Sequence, residues 1–148
     1  MILPIARGRV LLHLRDLKPG INAPGHWGFL GGAISPGEKS RDAARRELLE
    51  EVGYAAGRLH WLGRKRLPEV GGVVCYAYCC ALDTPVNKLH LMEGLDFGLK
   101  SARQIASKSI YSRRMGRRFP VVVPEYTERL LRKAVSILSG TAGRSKRS

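Results

Sequence analysis

Glu47, Glu50 and Glu51 stand at i, i+3 and i+4 inside a stretch whose apolar residues recur with helical spacing. No other feature constrains the chain as much. A helix stacks all three carboxylates on one face. Ala44, Leu48 and Val52 recur at i, i+4 and i+8, with Leu49 beside them, and mark a core-facing stripe. Ser40 suits the N-cap, Asp42 suits the positive first turn, and Gly53 sits where a left-handed residue ends a helix. The spacing therefore predicts a helix over 40–52. Three like charges on one helix face repel, which leaves two readings. One is a solvated acidic face, with Arg46 paired to Glu50 at i+4. The other is a cluster of hard oxygen ligands for Mg²⁺ or Mn²⁺. Gly31-Gly32 shortly before the helix favours the second, because glycine lets backbone approach a ligand closely and present a carbonyl.

The rest of the chain reads as strands and helices interspersed. Residues 9–15 form a short apolar run and an expected strand, followed by a Pro- and Gly-rich loop to Gly28. Residues 59–66 and 72–82 are further expected strands. The second has no charge on either face, so it is expected to be central and covered on both sides. Residues 89–92 are a candidate short strand. Pro124 can open a last helix to about Ser139, with Leu130, Leu131, Ala134, Val135 and Leu138 inward. The expected architecture is α/β or α+β with a mixed sheet. We expect one domain over 1–139 and a basic, Gly/Ser/Thr-rich disordered tail over 140–148.

The 148 residues carry a formal net charge of +14, which favours anionic partners without saying which. Seven bases and no acid lie between Phe97 and Pro124: Lys100, Arg103, Lys108, Arg113, Arg114, Arg117 and Arg118. Two readings stand for its 113–118 part, a grip on an acidic substrate or RNA and a solvated, mobile loop. Cys75, Cys79 and Cys80 share one strand-like stretch in odd number, so they read as buried structural residues and not as disulfides or a zinc site. No run of about 18 apolar residues exists, so a membrane span is not expected and the cytoplasm is the default location.

The stretch from Gly32 to Tyr54, GAISPGEKSRDAARRELLEEVGY, resembles the Nudix box, G-x5-E-x7-R-E-U-x-E-E-x-G-U with U a bulky aliphatic residue. Gly32, Glu38, Arg46, Glu47, Leu48, Glu50, Glu51 and Gly53 match, and Tyr54 stands in place of the last aliphatic residue. The frequent Pro-Gly-Gly is Leu30-Gly31-Gly32 here. The resemblance extends to the strand before the box and to Trp27–Leu30, and fades in the C-terminal third. It implies an α/β/α sandwich around a mixed β-sheet, of the MutT-like kind. By position, Glu50 and Glu51 resemble the family's metal ligands, Glu47 its ligand or water-orienting base, and the Gly31 carbonyl its backbone ligand. Glu38 resembles a supporting or additional ligand, and Arg46 the residue that orients the glutamates. Met92-Glu93-Gly94-Leu95-Asp96 resembles the later loop from which MutT-like members often take another carboxylate, so Glu93 is a candidate extra ligand or base; the alternative is a turn residue before Gly94.

The function implied is cleavage of a phosphoanhydride bond in a nucleoside diphosphate-linked molecule, aided by more than one Mg²⁺ or Mn²⁺ ion. Arg15 is a candidate phosphate contact or a surface arginine at a strand end. Trp27 is a candidate base-stacking residue or a packed aromatic beside a Gly turn. Two alternatives remain, an RNA 5′-end pyrophosphohydrolase on the same scaffold and a noncatalytic nucleotide-binding module. The reading admits a homodimer.

Overall fold

A computed structural model describes residues 1–145. The chain opens with β1 (Ile2–Ala6), which turns through Arg7 and Gly8, both at positive φ, into β2 (Arg9–Leu14). The two pair antiparallel, with Ile5 opposite Val10. β3 (Trp27–Phe29) extends the same side of β2, and α1 (Ser40–Val52) follows. Next come β4 (His60–Leu67) and β5 (Val73–Ala81), an antiparallel pair with a register shift between Trp61 and Gly63. β6 (Asp96–Lys100) pairs with the other edge of β2. α2 (Ala102–Ala106), the hairpin β7 (Ser109–Ser112) and β8 (Arg117–Pro120), and the long α3 (Pro124–Ser145) complete the chain.

The main sheet runs β3-β2-β1-β5-β4, with β6 beside β2. β1 lies parallel to β5, with Ile2 opposite Tyr78 and Ile5 opposite Ala81, and the other pairs are antiparallel. Alternation along the strands divides the core in two. Ile2, Leu11, Tyr78 and Cys80 meet Ala44, Leu48 and Val52 of α1 on one face. Leu3, Val10, Leu12, Ala77 and Cys79 meet Ile105 of α2 and Leu130, Leu131 and Ala134 of α3 on the other. The fold is thus an α/β/α sandwich with a mixed sheet, as expected. The cysteines are free, and burial pushes Cys79 and Cys80 up to about 11 and about 12, so both stay thiols. No helix among the described residues is long and apolar enough to cross a membrane.

Six expectations need correction. Ser40 is not the N-cap. Lys39 is, without a side-chain cap, and the Ser40 hydroxyl hydrogen-bonds Tyr78 Oη at 2.7 Å. Leu49 is half exposed, one position off the buried stripe. Residues 89–92 form no strand; they are a connection tied to the end of α1 by His90 N–H on Val52 O and Met92 N–H on Glu51 O. β5 is internal to the sheet, but only its C-terminal half is covered on both faces, since Val73 to Tyr76 are partly open. Residues 113–118 are the exposed turn and returning strand of a hairpin bonded from Ser109–Pro120 to Ser112–Arg117, and not an unpaired loop. α3 also continues past Ser139 to Ser145; of the expected tail, 146–148 lie outside the described residues.

Trp27 is fully buried. Its indole N–H donates to the Ile110 carbonyl at 3.1 Å, and its own carbonyl accepts from Val122 N–H. It therefore has no open face for a base to stack on, and the packed-aromatic alternative describes it. Trp27→Ala is expected to cost about 3–5 kcal/mol of stability, since it opens a cavity and orphans the Ile110 carbonyl. Denaturant unfolding checks this; a loss near zero would mean the residue is not part of the core.

Candidate active site

The site is assembled by the way α1 lies against the start of the sheet. Gly53, at φ 68°, closes the helix by donating to Leu49 O, so its last turn is rigid. Upstream, 31–39 form a loop that folds back along the helix. Its anchor is Arg46, whose Nε and Nη2 donate to the two oxygens of Glu38 at 2.8 and 3.0 Å. The same guanidinium donates to Glu47 at 2.8 Å, to Glu50 at 3.2 Å and to the Ala33 carbonyl at 3.0 Å. Glu38 also accepts from Ser35 N–H, and these partners hold its carboxyl at about 2. The glutamates hold the Arg46 guanidinium, in turn, even more firmly charged than usual. Both Glu38 oxygens are thus engaged by the chain. Of the two roles expected for it, these contacts favour the supporting one.

The two glycines are required for different reasons. At Gly31 the backbone has φ 141°, and a Cβ would stand 2.7 Å from the Met1 Cα. At Gly32 a Cβ would stand 2.4 Å from Glu47 Oε1, so the missing side chain is the space that the Glu47 carboxylate occupies.

The three glutamates of the helix do not share one environment. Glu50 is exposed, Glu47 lies against Gly32, and Glu51 is buried at 2% exposure. Glu51 accepts from Gly31 N–H at 2.8 Å. Burial pushes its carboxyl up to about 8, the Gly31 hydrogen bond opposes the shift, and the charges of Glu47 and Glu93 add to it. As the side chains stand, no group of three or more His, Cys, Asp or Glu among the described residues is arranged to hold a metal. Arg46 draws Glu38, Glu47 and Glu50 to itself instead. The donor chemistry nevertheless suits a divalent ion. The oxygens are hard, and a carboxylate taken out of water without a full counter-charge is a place where a cation gains most.

Two neighbours complete the corner. His13, on β2, is buried and places Nδ1 3.8 Å from Glu51 Oε1, too far for a hydrogen bond. Burial and the Arg15 charge lower its imidazole to about 4, while Glu51 is raised to about 8, so near neutral pH the pair is a neutral imidazole beside a carboxyl group and not an ion pair. Neither ring nitrogen has a hydrogen-bond partner. Nothing in the sequence flagged His13 beyond its place in an apolar strand. Glu93 is brought near by Gly94, whose φ is 91° and whose Cβ would stand 2.7 Å from the Leu14 carbonyl. Leu95 N–H donates to that same carbonyl. The structure thus brings Glu93 to the Glu51 corner, although its own side chain is exposed.

From Glu47 a cleft of about 590 Å³ runs across the sheet to α3. Its walls include Phe29, Leu67, Val70, Tyr76 and Tyr126, so most of it is apolar. Arg15 also lines it, with Nε donating to the Asn22 carbonyl at 2.6 Å. Sequence reasoning missed Tyr76, Tyr126 and Asn22, which come from three distant segments.

A glycine-rich loop folded onto a glutamate-bearing helix, laid on a mixed sheet beside an apolar cleft, defines an α/β sandwich whose cleft opens onto carboxylates. The family model described as NUDIX domain matches residues 1–90, and the chain belongs to that family. The oxidized purine nucleoside triphosphate hydrolase of Danio rerio is 41% identical over 71 residues, 48% of this chain and 44% of that protein. The match thus spans less than half the length of such curated relatives. The MutT NUDIX hydrolase of Burkholderia pseudomallei has the same fold, with a TM-score of 0.64, 21% identity, and 88% of this chain and 92% of that chain covered. So does the NUDIX domain of Shewanella oneidensis NrtR, solved with ADP ribose, with a TM-score of 0.64, 16% identity, and 93% and 83% covered.

Proposed function

We propose that the chain is a Mg²⁺- or Mn²⁺-dependent hydrolase that cleaves the phosphoanhydride bond of a small nucleotide. The observation that carries this is the continuity of the apolar cleft with Glu47 and the diglycine loop. A cleft of about 590 Å³ is of the size that takes a nucleoside. It would deliver the phosphates to the corner where Glu47, Glu50 and Glu51 stand. The Danio rerio relative, named as a hydrolase of oxidised purine nucleoside triphosphates, supports this substrate class.

The metal would be held by the Gly31 carbonyl, Glu47, Glu50 and Glu51, and would supply positive charge that masks the phosphate oxygens and acidifies water. The chain's own residues do the rest. Glu51 is fixed by Gly31 N–H, so its free oxygen is pre-aimed. Glu47 stands over Gly32 at the mouth of the cleft, placed to accept a proton from attacking water; Glu93 is the second group able to do so. Arg46 sets the position of Glu47 and Glu50, and Glu38 sets Arg46. Arg15 reaches the cleft wall, where its guanidinium can pair with a phosphate.

A hydrolysis screen tests this reading, run with Mg²⁺ or Mn²⁺ over nucleoside triphosphates, oxidised purine triphosphates, nucleoside diphosphate-linked compounds and a 5′-triphosphate RNA. Metal-dependent release of phosphate or pyrophosphate from a small nucleotide is expected. Glu50→Gln, an exposed substitution, should lose most of the turnover while keeping its melting temperature. Tight nucleotide binding without turnover would identify a sensing module instead, and preference for the RNA would move the substrate class.

A further inference from the structure

β6 turns Asp96, Gly98 and Lys100 to the sheet face covered by α2 and α3, while Phe97 and Leu99 pack with the α1 side. Lys100 is half buried, and its ammonium stands 4.3 Å from the centroid of the Trp27 ring, within the other core cluster. Gly98 has no side chain to fill the space beside it; a Cβ there would come within 3.5 Å of Lys100 Nζ. The result is a cleft of about 510 Å³ floored by β6, with Gln104 and Ser107 on one wall and Arg113 and Arg118 of the hairpin on the other.

Its charges do not cancel. Among the described residues Asp96 is the only acid lining it, and that carboxylate is already engaged. It accepts from the Ser112 hydroxyl at 2.6 Å and from Phe97 N–H at 2.8 Å, and Arg114 stands 3.5 Å away. Arg118 is tied to the hydroxyl and carbonyl of Ser109. Lys100 and Arg113 line the same cleft, and neither makes an ion pair among the described residues. Burial and the Arg113 charge both hold the Lys100 ammonium below the ordinary lysine value, although Asp96 opposes this. Two cations that line one cleft gain by sharing an anion.

We propose that this cleft is a second phosphate-binding site, on the opposite face of the sheet from the glutamate helix, in which Lys100 and Arg113 grip one phosphate group. A dianion matches the two unpaired cations, and the cleft holds more than a bare carboxylate fills. The site stands whether or not α1 binds metal.

Metal-free protein in chelator, titrated with inorganic phosphate and followed by ¹H–¹⁵N correlation spectra, tests it. The Trp27 indole N–H and the amides of 96–118 should shift in a saturable way, while α1 should not. Lys100→Met keeps the aliphatic stem over Trp27 and should weaken binding about tenfold or more. Arg113→Gln, on the exposed hairpin, should do the same without changing the fold, and Glu50→Gln should bind as the parent does. A hexauridylate arm separates the sources: tighter binding than inorganic phosphate, lost in Lys100→Met, assigns the phosphate to a polynucleotide backbone, and equal binding assigns it to a free small phosphate. Shifts confined to α1 and the 31–39 loop, no saturable shift, or full binding by Lys100→Met would each overturn the proposal.

Discussion

Glu51→Gln is expected to do two opposite things at once: stabilise the metal-free protein and remove most of its metal-dependent turnover. The side chain is buried, and burial is the main cause that lifts its carboxyl to about 8. Glutamine keeps an acceptor for Gly31 N–H and removes the buried charge. A gain of about 1 kcal/mol would raise the melting temperature by roughly 2–4 °C in a chain of this size. The sign of the pH dependence follows. A carboxyl with a folded value near 8, against an ordinary 4.5, binds more protons folded than unfolded between those values, so stability falls as pH rises through that window. His13, lowered to about 4 from 6.5, acts in the opposite sense below pH 6.5. Between pH 6.5 and 8 only Glu51 of the two contributes. There the metal-free parent should lose melting temperature with rising pH, Glu51→Gln should lose less, and saturating Mg²⁺ should flatten the parent's slope. Turnover should fall roughly a hundredfold or more, equivalent to about 2.7 kcal/mol or more of transition-state stabilisation. Scanning calorimetry across that window and a steady-state assay check both halves. A destabilised but fully active Glu51→Gln would contradict the assignment.

Gly32→Ala should be nearly silent in stability and severe in activity. The added Cβ meets the far end of the Glu47 side chain at 2.4 Å, and a flexible carboxylate can swing away at little cost to the fold. Swinging away is what the site cannot tolerate. Displacing a group that must meet an attacking water by about 1 Å costs on the order of a hundredfold in rate. Unfolding free energy should change by less than about 1 kcal/mol, while kcat falls about a hundredfold. Gly31→Ala offers the contrast, because its Cβ meets Met1 backbone and its φ is one that L residues avoid, so that variant should lose about 1–3 kcal/mol of stability. Parental kcat in Gly32→Ala would remove Glu47 from the reaction centre.

What was legible in the sequence was local. α1 carries its own signals: an i, i+4, i+8 apolar stripe, an acid in the first turn and a left-handed glycine at the end. Its bounds were read as they stand. The spacing also placed Glu38 and Arg46 on the same segment. It did not show that one guanidinium gathers Glu38, Glu47, Glu50 and the Ala33 carbonyl, since this depends on how the 31–39 loop folds back. Nor did it separate the three glutamates, whose environments are set by Gly31, Gly32 and the sheet below. β1 escaped notice because Pro4 argues against an internal strand, yet Pro4 sits opposite Cys80 within the sheet. β6, β7 and β8 are short, interrupted by Gly98 or rich in arginine, and gain their register from partners far away in sequence. The fate of Trp27 was likewise decided from a distance, by Ile110 and Val122.

The central claim is that the diglycine loop and the glutamates of α1 gather a divalent cation beside a bridging phosphate oxygen. Anomalous diffraction from a crystal soaked in Mn²⁺ with a non-hydrolysable nucleoside triphosphate tests it most directly. Peaks at about 2.0–2.2 Å from oxygens of Glu50, Glu51 and the Gly31 carbonyl, with the base in the cleft beside Tyr126, are the expected result. A nucleotide bound with its metal away from those oxygens, or carboxylates still held by Arg46 with no peak among them, would contradict it.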